Sequence, residues 1–258
     1  MSRISFGKTT NMKKIPLLVL ASIGMFWAQA QQAKGRISYE RKMNMHRPIP
    51  PEDEAMKAMI PEFMTSKAEL SFSGDELLYH IIPEEADVRD EAGEGENRVV
   101  IRMDLPGNNE TYKNLAKAIQ VDARELGPKK YLIVDSVKTY VWRPTGESKK
   151  IGNFTCYRAT AMSADKRDLE AWYTPEIPVS GGPEGYGGLP GMILELDIDH
   201  GANHFLMVEF VAMPDLVIKA PSGGKKISRK EFDKLLEERF GGSGNGQRTI
   251  RIVQDVRE

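Results

Sequence analysis

Residues 171–196 read AWYTPEIPVSGGPEGYGGLPGMILEL. Apolar runs stand at both ends of this stretch, and six glycines and four prolines lie between them. Glycine allows backbone angles that other residues avoid, whereas proline fixes φ. We therefore predict that residues 175–191, here called the signature loop, form a rigid and sharply turned connection between two strands. Its shape is expected to depend on Pro183, Gly188 and Gly191.

The motif GLPGMIL at residues 188–194 follows the segment WYTPEIP at residues 172–178 and a Gly-Pro pair at residues 182–183. Together these segments resemble the signature of the GLPGLI family, which occurs in Bacteroidetes. The resemblance extends upstream to residues 35–40 and downstream to residues 227–240, so it covers most of the chain. It implies an exported protein with a sheet-rich fold, and it implies no reaction.

Residues 1–30 are typical of a secretory signal peptide. Lys13 and Lys14 precede a short apolar run, and Ala28-Gln29-Ala30 is typical of a cleavage site. Met12 is an alternative start, because it places the two lysines where such a signal needs them. The apolar run is too short to cross about 30 Å of hydrocarbon as a helix. We therefore predict export to the periplasm or the medium, with no transmembrane span after cleavage.

After cleavage we expect a β-rich domain at residues 31–240, followed by a glycine-rich linker and a charged tail at residues 241–258. Loss of residues 1–30 removes four of the 36 basic residues and no acidic one, which leaves 32 basic against 37 acidic side chains. A net charge of about −5 argues against nucleic acid as the main partner. Cys156 is the sole cysteine, and we predict that it is a buried apolar side chain.

Alternation of apolar and polar residues with a period of two dominates the remaining sequence. Residues 37–45 are the first predicted strand, and a turn at residues 73–76 joins the strands of a hairpin. The acidic run at residues 83–97 is predicted to be a solvated loop. Further strands are predicted at residues 99–105, 131–136, 138–143, 153–162, 169–173, 192–198 and 204–213. The pattern predicts a mainly β fold, either a single curved antiparallel sheet or a partly open barrel.

Two helices are predicted, at residues 52–64 with an interruption at Pro61, and at residues 228–240. In the second helix, Ser228 and Glu231 have the spacing of a capping box. Its apolar side chains share one face: Phe232, Leu235, Leu236 and Phe240. We therefore expect this C-terminal helix to pack on the sheet.

Signatures of the common hydrolases, such as His-Glu-x-x-His and Gly-x-Ser-x-Gly, are absent from the sequence. The glycines of the signature loop also lack the Lys-Ser or Lys-Thr pair that completes a phosphate-binding P-loop. His200 and His204 are four residues apart, but the intervening Gly-Ala-Asn favours a hairpin turn over a helix that presents two metal ligands. The sequence therefore predicts neither an enzyme nor a cofactor.

The N-terminal region offers one candidate metal site, at Met43, Met45 and His46. Thioether sulfur and imidazole together are a soft ligand set that suits Cu(I). Alternatively, Met43 and Met45 fill the core from the first strand, and Met56, Met59 and Met64 form the apolar face of the first helix. The spacing of the methionines suits both interpretations.

Residues in and beside the signature loop are the candidate binding surface, because they combine apolar bodies with polar tips next to a rigid turn. They are Trp172, Tyr173, Pro178, Tyr186, Leu189 and Pro190. We also predict that Gly191→Val impairs folding more than Tyr186→Ala, because a β-branched residue does not tolerate a turn with positive φ.

Three functions are compatible with this sequence. The first is an exported binding or carrier module of the cell envelope, in which a curved sheet holds an apolar ligand or a segment of another envelope protein. The second is an assembly or interaction factor beside an outer-membrane transporter or secretion machine. An enzyme comes third, and it would need a convergent cluster of carboxylates or histidines in a cleft.

Overall fold

A computed structural model describes residues 34–82, 99–101, 109–240 and 252–254. The strands are β1 (Lys34–Asn44), β2 (Phe63–Ser73), β3 (Glu76–Ile82), β4 (Val99–Ile101), β5 (Glu110–Asn114), β6 (Ile119–Leu126), β7 (Lys129–Ser136), β8 (Arg143–Ile151), β9 (Phe154–Met162), β10 (Asp168–Thr174), β11 (Met192–Ile198), β12 (Asn203–Ala212), β13 (Lys225–Ile227) and β14 (Ile252–Gln254). The helices are α1 (Glu54–Met59) and α2 (Arg229–Phe240), and a 3₁₀ turn spans Pro183–Gly185.

Twelve of these strands form one open sheet in the order β13-β7-β6-β5-β3-β2-β1-β12-β11-β10-β9-β8. All neighbours are antiparallel except β13, which runs parallel to β7. The sheet is strongly curved, because the rings of Phe154 on β9 and Phe210 on β12 lie 5.4 Å apart although two strands separate them. The predicted mainly β fold is confirmed, and the sheet is open rather than closed into a barrel.

The core lies on one face of the central strands, because alternate side chains of a strand point to the same side. In the β1–β2 pair, Ile37 lies opposite Leu70 and Tyr39 lies opposite Ala68, and all four are buried. The Tyr39 hydroxyl donates to the backbone oxygen of Ile193 at 2.6 Å. This bond connects β1 to the strand that follows the signature loop.

The C-terminal helix begins as the sequence predicts. The Ser228 hydroxyl accepts from the Glu231 N–H at 3.2 Å, and the Glu231 carboxylate accepts from the Ser228 N–H at 2.7 Å. Helix α2 then packs on β7 through an apolar cluster. The cluster contains Tyr131, Ile133, Ile227 and Phe232, with Leu126, Leu235 and Leu236 against it. The predicted capping box and the predicted packing on the sheet are both confirmed.

Ser228→Ala is expected to lower the free energy of unfolding by about 1 kcal/mol, because the substitution leaves a helix N–H without its acceptor. Urea denaturation measures the change. Ser222→Ala is the control, since Ser222 is exposed and precedes the helix. Equal losses in the two variants would contradict a capping role for Ser228.

The first predicted helix is wrong at its C-terminal end. Helix α1 ends at Met59, and Ile60 is already extended, because residues before a proline avoid the helical conformation. Met64 therefore lies on β2 rather than on the helix, and Met59 is exposed. Only Met56 of the three methionines packs from α1 against the neighbouring apolar cluster.

The strand predicted at residues 138–143 is also wrong. Residues 137–142 connect β7 to β8 without strand pairing, and β8 occupies residues 143–151 instead. Strands β5, β6, β8 and β13 were not predicted. The hairpin predicted to turn at residues 73–76 is confirmed, as are the strands predicted at 192–198 and 204–213, the second of which spans 203–212. Asp199 and His200 form the turn between these two strands with left-handed backbone angles.

Several predictions fall outside the described residues: the signal peptide at 1–30, the acidic loop at 83–97 and most of the tail at 241–258. Of the tail, β14 pairs with β4 in a separate two-stranded sheet. Neither helix in the described part of the chain is long and apolar enough to cross a membrane.

Candidate functional site

The signature loop leaves β10 after Thr174 and returns to the sheet at Met192. It is held by backbone hydrogen bonds, in which Met192 N donates to Ile177 O at 3.1 Å and Ile193 N donates to Gly181 O at 2.9 Å. Most of its residues are buried. The loop is therefore part of the protein core rather than an exposed surface loop.

Two glycines of the loop have different roles. Gly191 has φ of 154°, and a Cβ there would overlap the carbonyl oxygen of Thr174. Gly188 has φ of 95°, but its nearest neighbour would be the Trp142 ring at 3.5 Å. Gly191 thus provides space for close backbone contact, whereas Gly188 provides only the left-handed turn.

The segment before β8 packs on the loop through aromatic side chains. Tyr140 stacks on Tyr186 with ring centroids 5.2 Å apart, and Trp142 Nε1 donates to Gly187 O at 2.9 Å. Burial raises the pKa of Tyr186 to about 12 and that of Tyr140 further still. Both phenols are therefore protonated at neutral pH and act as packing surfaces.

The six predicted binding residues do not form one surface. Trp172, Tyr186 and Leu189 are buried, whereas Pro178 and Pro190 are exposed. Tyr173 is half-buried, and its ring lies 6.2 Å from that of Tyr157. Trp172 instead donates to Glu170 at 3.3 Å and lies under the ammonium group of Lys149. Their proposed role in binding stays a prediction.

The candidate metal ligands belong to a small apolar cluster. Met45, Ile49 and Ile60 are its buried members, and Met43, Met56 and Met64 pack against them. The Nε2 atom of His46 lies 2.7 Å from the backbone oxygen of Ile60. Among the residues described, no group of three or more His, Cys, Asp or Glu side chains could hold a metal ion. His200 and His204 contact Asp168 and Glu195 separately.

The 3₁₀ turn at Pro183–Gly185 carries the loop over the face of β2, β3 and β5. Glu184 has φ of 49°, a left-handed conformation that costs a residue with a side chain about 1 kcal/mol or more. Gly185 lies directly above β5 and β6, since a Cβ there would be 3.1 Å from Thr111 and 3.5 Å from Gln120. The turn thus covers polar side chains of the sheet.

These polar side chains form a band across β5 and β6, which we call the polar band: Thr111, Lys113, Gln120, Asp122 and Arg124. Lys113 lies opposite Gln120 and Thr111 opposite Asp122, so the band occupies one face of the sheet. All but Arg124 are buried. Apolar residues of β3 and β7, such as Leu77 and Ile133, flank the band, so its charged groups lie among apolar side chains on this face.

Asp122 is the centre of a hydrogen-bond network in the band. Its carboxylate accepts from the Thr111 hydroxyl at 2.9 Å and from Gln120 Nε2 at 3.1 Å, and Arg124 lies 3.4 Å away. At the other oxygen it pairs with Arg229, the first residue of α2. One buried carboxylate therefore connects β5, β6 and the C-terminal helix.

Lys113 has no such partner. The residue is only 2% exposed, and its ammonium group has no hydrogen bond or ion pair within the described ranges. Burial lowers the pKa of Lys113 to about 8, although the charge of Asp122 opposes the shift. A buried cation without a direct ion pair costs stability, and the nearby charge of Asp122 offsets only part of that cost here.

Lys113→Met is expected to raise the free energy of unfolding at pH 7 by about 1–3 kcal/mol, because methionine retains the apolar stem and removes the desolvated charge. The gain should shrink above pH 8: deprotonation of Lys113 in the folded state then stabilises the wild type as pH rises. Urea denaturation at pH 7 and pH 9 measures both effects. A loss of stability at pH 7 would contradict this account.

Arg41 is the second buried cation on this face. Its Nη2 atom donates to Asn203 Oδ1 at 2.9 Å and lies 3.3 Å from Glu184 in the signature loop. The guanidinium carbon stands 5.5 Å from the centroid of the Phe205 ring. The Nε and Nη1 atoms are buried and have no hydrogen-bond partner in the part of the chain described. Three of the five guanidinium N–H donors are therefore unused.

None of these polar groups was identified from the sequence. Arg41 follows Ile37 and Tyr39 in the alternation of the first strand, so its inward position could have been inferred. Residues 109–126 gave no strand signal, because Lys113, Gln120 and Asp122 occupy the positions where apolar residues are expected. Cys156 is buried as predicted, and burial raises its pKa to about 11.

Part of the chain is similar in sequence to a known protein family. Residues 161–195 match a family model described as a protein of unknown function, Porph_ging. This is an uncharacterised family typical of Bacteroidetes. The matched segment contains β10, the whole signature loop and the start of β11. No curated protein sequence matches the chain.

Among solved structures, PNGF-II in the C2 and P21 space groups is similar in fold, with TM-scores of 0.52 and 0.51 at 14% and 16% sequence identity. The similarity covers 79% of this chain but 32% and 33% of PNGF-II, so this chain spans about a third of that protein's length. An uncharacterized conserved protein from Thermus thermophilus matches with a TM-score of 0.41 and 8% identity, over 81% of this chain and 99% of that one. The two PNGF-II matches show a shared fold only.

Proposed function

We propose that this protein is an exported binding or carrier module of the bacterial cell envelope, whose ligand lies between the signature loop and the core face of the sheet. The observation that carries the proposal is the set of unused donors on Arg41. Buried polar groups in folded proteins are almost always hydrogen-bonded, so orphaned buried donors mark a place for a partner.

The surroundings of Arg41 support access from solvent. Its side chain is buried, but the Glu184 side chain beside it is 31% exposed. Glu184 also holds the left-handed conformation in the 3₁₀ turn, and strain of this kind clusters at ligand-binding sites. The loop thus acts as a cover that a ligand enters at the Glu184 side. The signal-peptide pattern and the GLPGLI resemblance support export.

The same features favour binding over catalysis. The charged groups near the loop form ion pairs and hydrogen bonds to each other. The Asp122 carboxylate, which accepts from the Thr111 hydroxyl, is also engaged by Gln120 and Arg229, and both contacts weaken it as a base. They also favour a ligand with a polar group over a wholly apolar one, because the core face at this point carries charge. An assembly factor remains the second candidate, since a polar segment of a partner could occupy the same place.

Native mass spectrometry of the protein purified from its own host tests the proposal. We expect a bound molecule of defined mass in the wild type and its loss in Arg41→Met. Lys42→Met is the matched control, because Lys42 is the next residue of β1 and its side chain lies on the opposite face, over Phe63. An apo mass in both the wild type and the control would overturn the binding role.

A further inference from the structure

Basic side chains outnumber acidic ones around the Pro183–Gly185 turn of the signature loop. Among the described residues, three acidic side chains act on the groups beside it, those of Asp122, Asp165 and Glu184. Six basic side chains contact these three or lie near them: Arg41, Lys113, Arg124, Lys138, Arg167 and Arg229. The formal excess of positive charge includes Arg41 and Lys113, which are shielded from water, so screening by solvent around these two is weak. Such an excess attracts an anion.

The hydrogen-bond donors that remain available in this region also belong to positively charged side chains. Arg41 offers three buried N–H groups that have no acceptor among the described residues, and Lys113, a residue 2% exposed, adds an ammonium group. Charge-assisted hydrogen bonds from such groups to an oxyanion are about twice as strong as neutral ones. Both cations reach the same turn, because Arg41 contacts Glu184 and the Lys113 stem lies below Gly185.

We propose that the ligand carries an oxyanion, which Arg41 binds under the Pro183–Gly185 turn and which Lys113 attracts from β5. This inference rests on the proposed binding function and specifies the chemical class of its ligand: a molecule with a carboxylate, phosphate or sulfate group. The oxyanion accepts from the Nε donor of Arg41, while Nη2 stays on Asn203. Glu184 is the group that the oxyanion approaches and partly displaces.

The test is isothermal titration calorimetry of the full chain with sodium phosphate, sodium sulfate and sodium acetate as separate probes. Chloride keeps the ionic strength constant, and the three probes distinguish the possible oxyanions. We expect at least one of them to bind the wild type. Arg41→Met should weaken that binding about ten- to hundredfold, the range for loss of a charged hydrogen bond. Lys113→Met should weaken it by a smaller factor.

Glu184→Gln separates this proposal from a purely structural Arg41–Glu184 ion pair. Removal of the carboxylate takes a negative charge away from the oxyanion, so we expect affinity for the same probe to increase. A structural pair predicts lower thermal stability and no gain in affinity. If Arg41→Met does not fold, Arg41→Lys replaces it, because lysine retains the charge and lacks the guanidinium donors.

The outcomes are distinct. Unchanged affinity in both Arg41→Met and Lys113→Met overturns the oxyanion site. A neutral molecule recovered from the host, with no binding of the three probes, overturns the oxyanion and leaves the binding function intact. An apo mass from the host together with no probe binding overturns both. Loss of binding in Arg41→Met, a gain in Glu184→Gln and no change in Lys42→Met establish the site.

Discussion

Gly191→Val is expected to prevent folding of the protein or to lower its free energy of unfolding by more than about 4 kcal/mol. The Cβ of valine would overlap the carbonyl oxygen of Thr174, and backbone atoms cannot move aside as a flexible side chain can. Gly191 also has φ of 154°, where a β-branched residue is strained. Circular dichroism and urea denaturation measure the loss.

Two comparisons make this prediction specific. Gly188→Ala changes a glycine of positive φ at which an added Cβ would make only an ordinary contact with the Trp142 ring, so it should cost only about 1 kcal/mol. Tyr186→Ala removes a buried ring from its stack with Tyr140 and should cost about 3 kcal/mol. Equal melting temperatures for Gly191→Val and Tyr186→Ala would contradict the role assigned to Gly191.

Asp122→Ala is expected to lower the free energy of unfolding by about 2–4 kcal/mol, because it leaves two buried donors and two partly exposed cations without their acceptor. Thr111, Gln120 and Arg124 lose the acceptor within the sheet, and Arg229 loses its partner at the start of α2. The helix should therefore become more exposed to solvent. Hydrogen exchange of α2 amides and urea denaturation measure these two effects.

Asp135→Ala is the control for Asp122→Ala. Asp135 lies opposite Gln120 on β7 but is exposed, and it accepts only from the neighbouring Ser136 in the described contacts. Its loss should change stability by less than about 1 kcal/mol. A similar loss in the two variants would show that Asp122 does not organise the polar band.

The sequence was informative wherever side-chain alternation agrees with burial. The strand after the signature loop was predicted at residues 192–198 and lies there, because Met192, Leu194, Leu196 and Ile198 are all buried. The capping box was also predicted directly from the sequence, since Ser228 and Glu231 are only three residues apart. Local chemistry thus predicted the sheet, the C-terminal helix and the compact signature loop.

The candidate site could not be predicted in the same way. Arg41, Lys113 and Glu184 are far apart in sequence, and only the curved sheet brings them to one turn. Their charge also suppresses the alternation by which strands are recognised, so β5 and β6 were missed. Conversely, Tyr186 and Leu189 suggested a binding surface but are buried, because a loop rich in glycine packs closely enough to enter the core.

The most direct test of the account follows the side-chain Nε–H signal of Arg41 by ¹H–¹⁵N NMR during titration with the oxyanion that binds most tightly. The signal is assigned by its absence from Arg41→Met. We predict that it shifts with the same apparent Kd as calorimetry gives and that its exchange with solvent slows, because the oxyanion accepts this hydrogen. An unchanged Arg41 signal at saturating ligand would contradict a ligand beneath the signature loop.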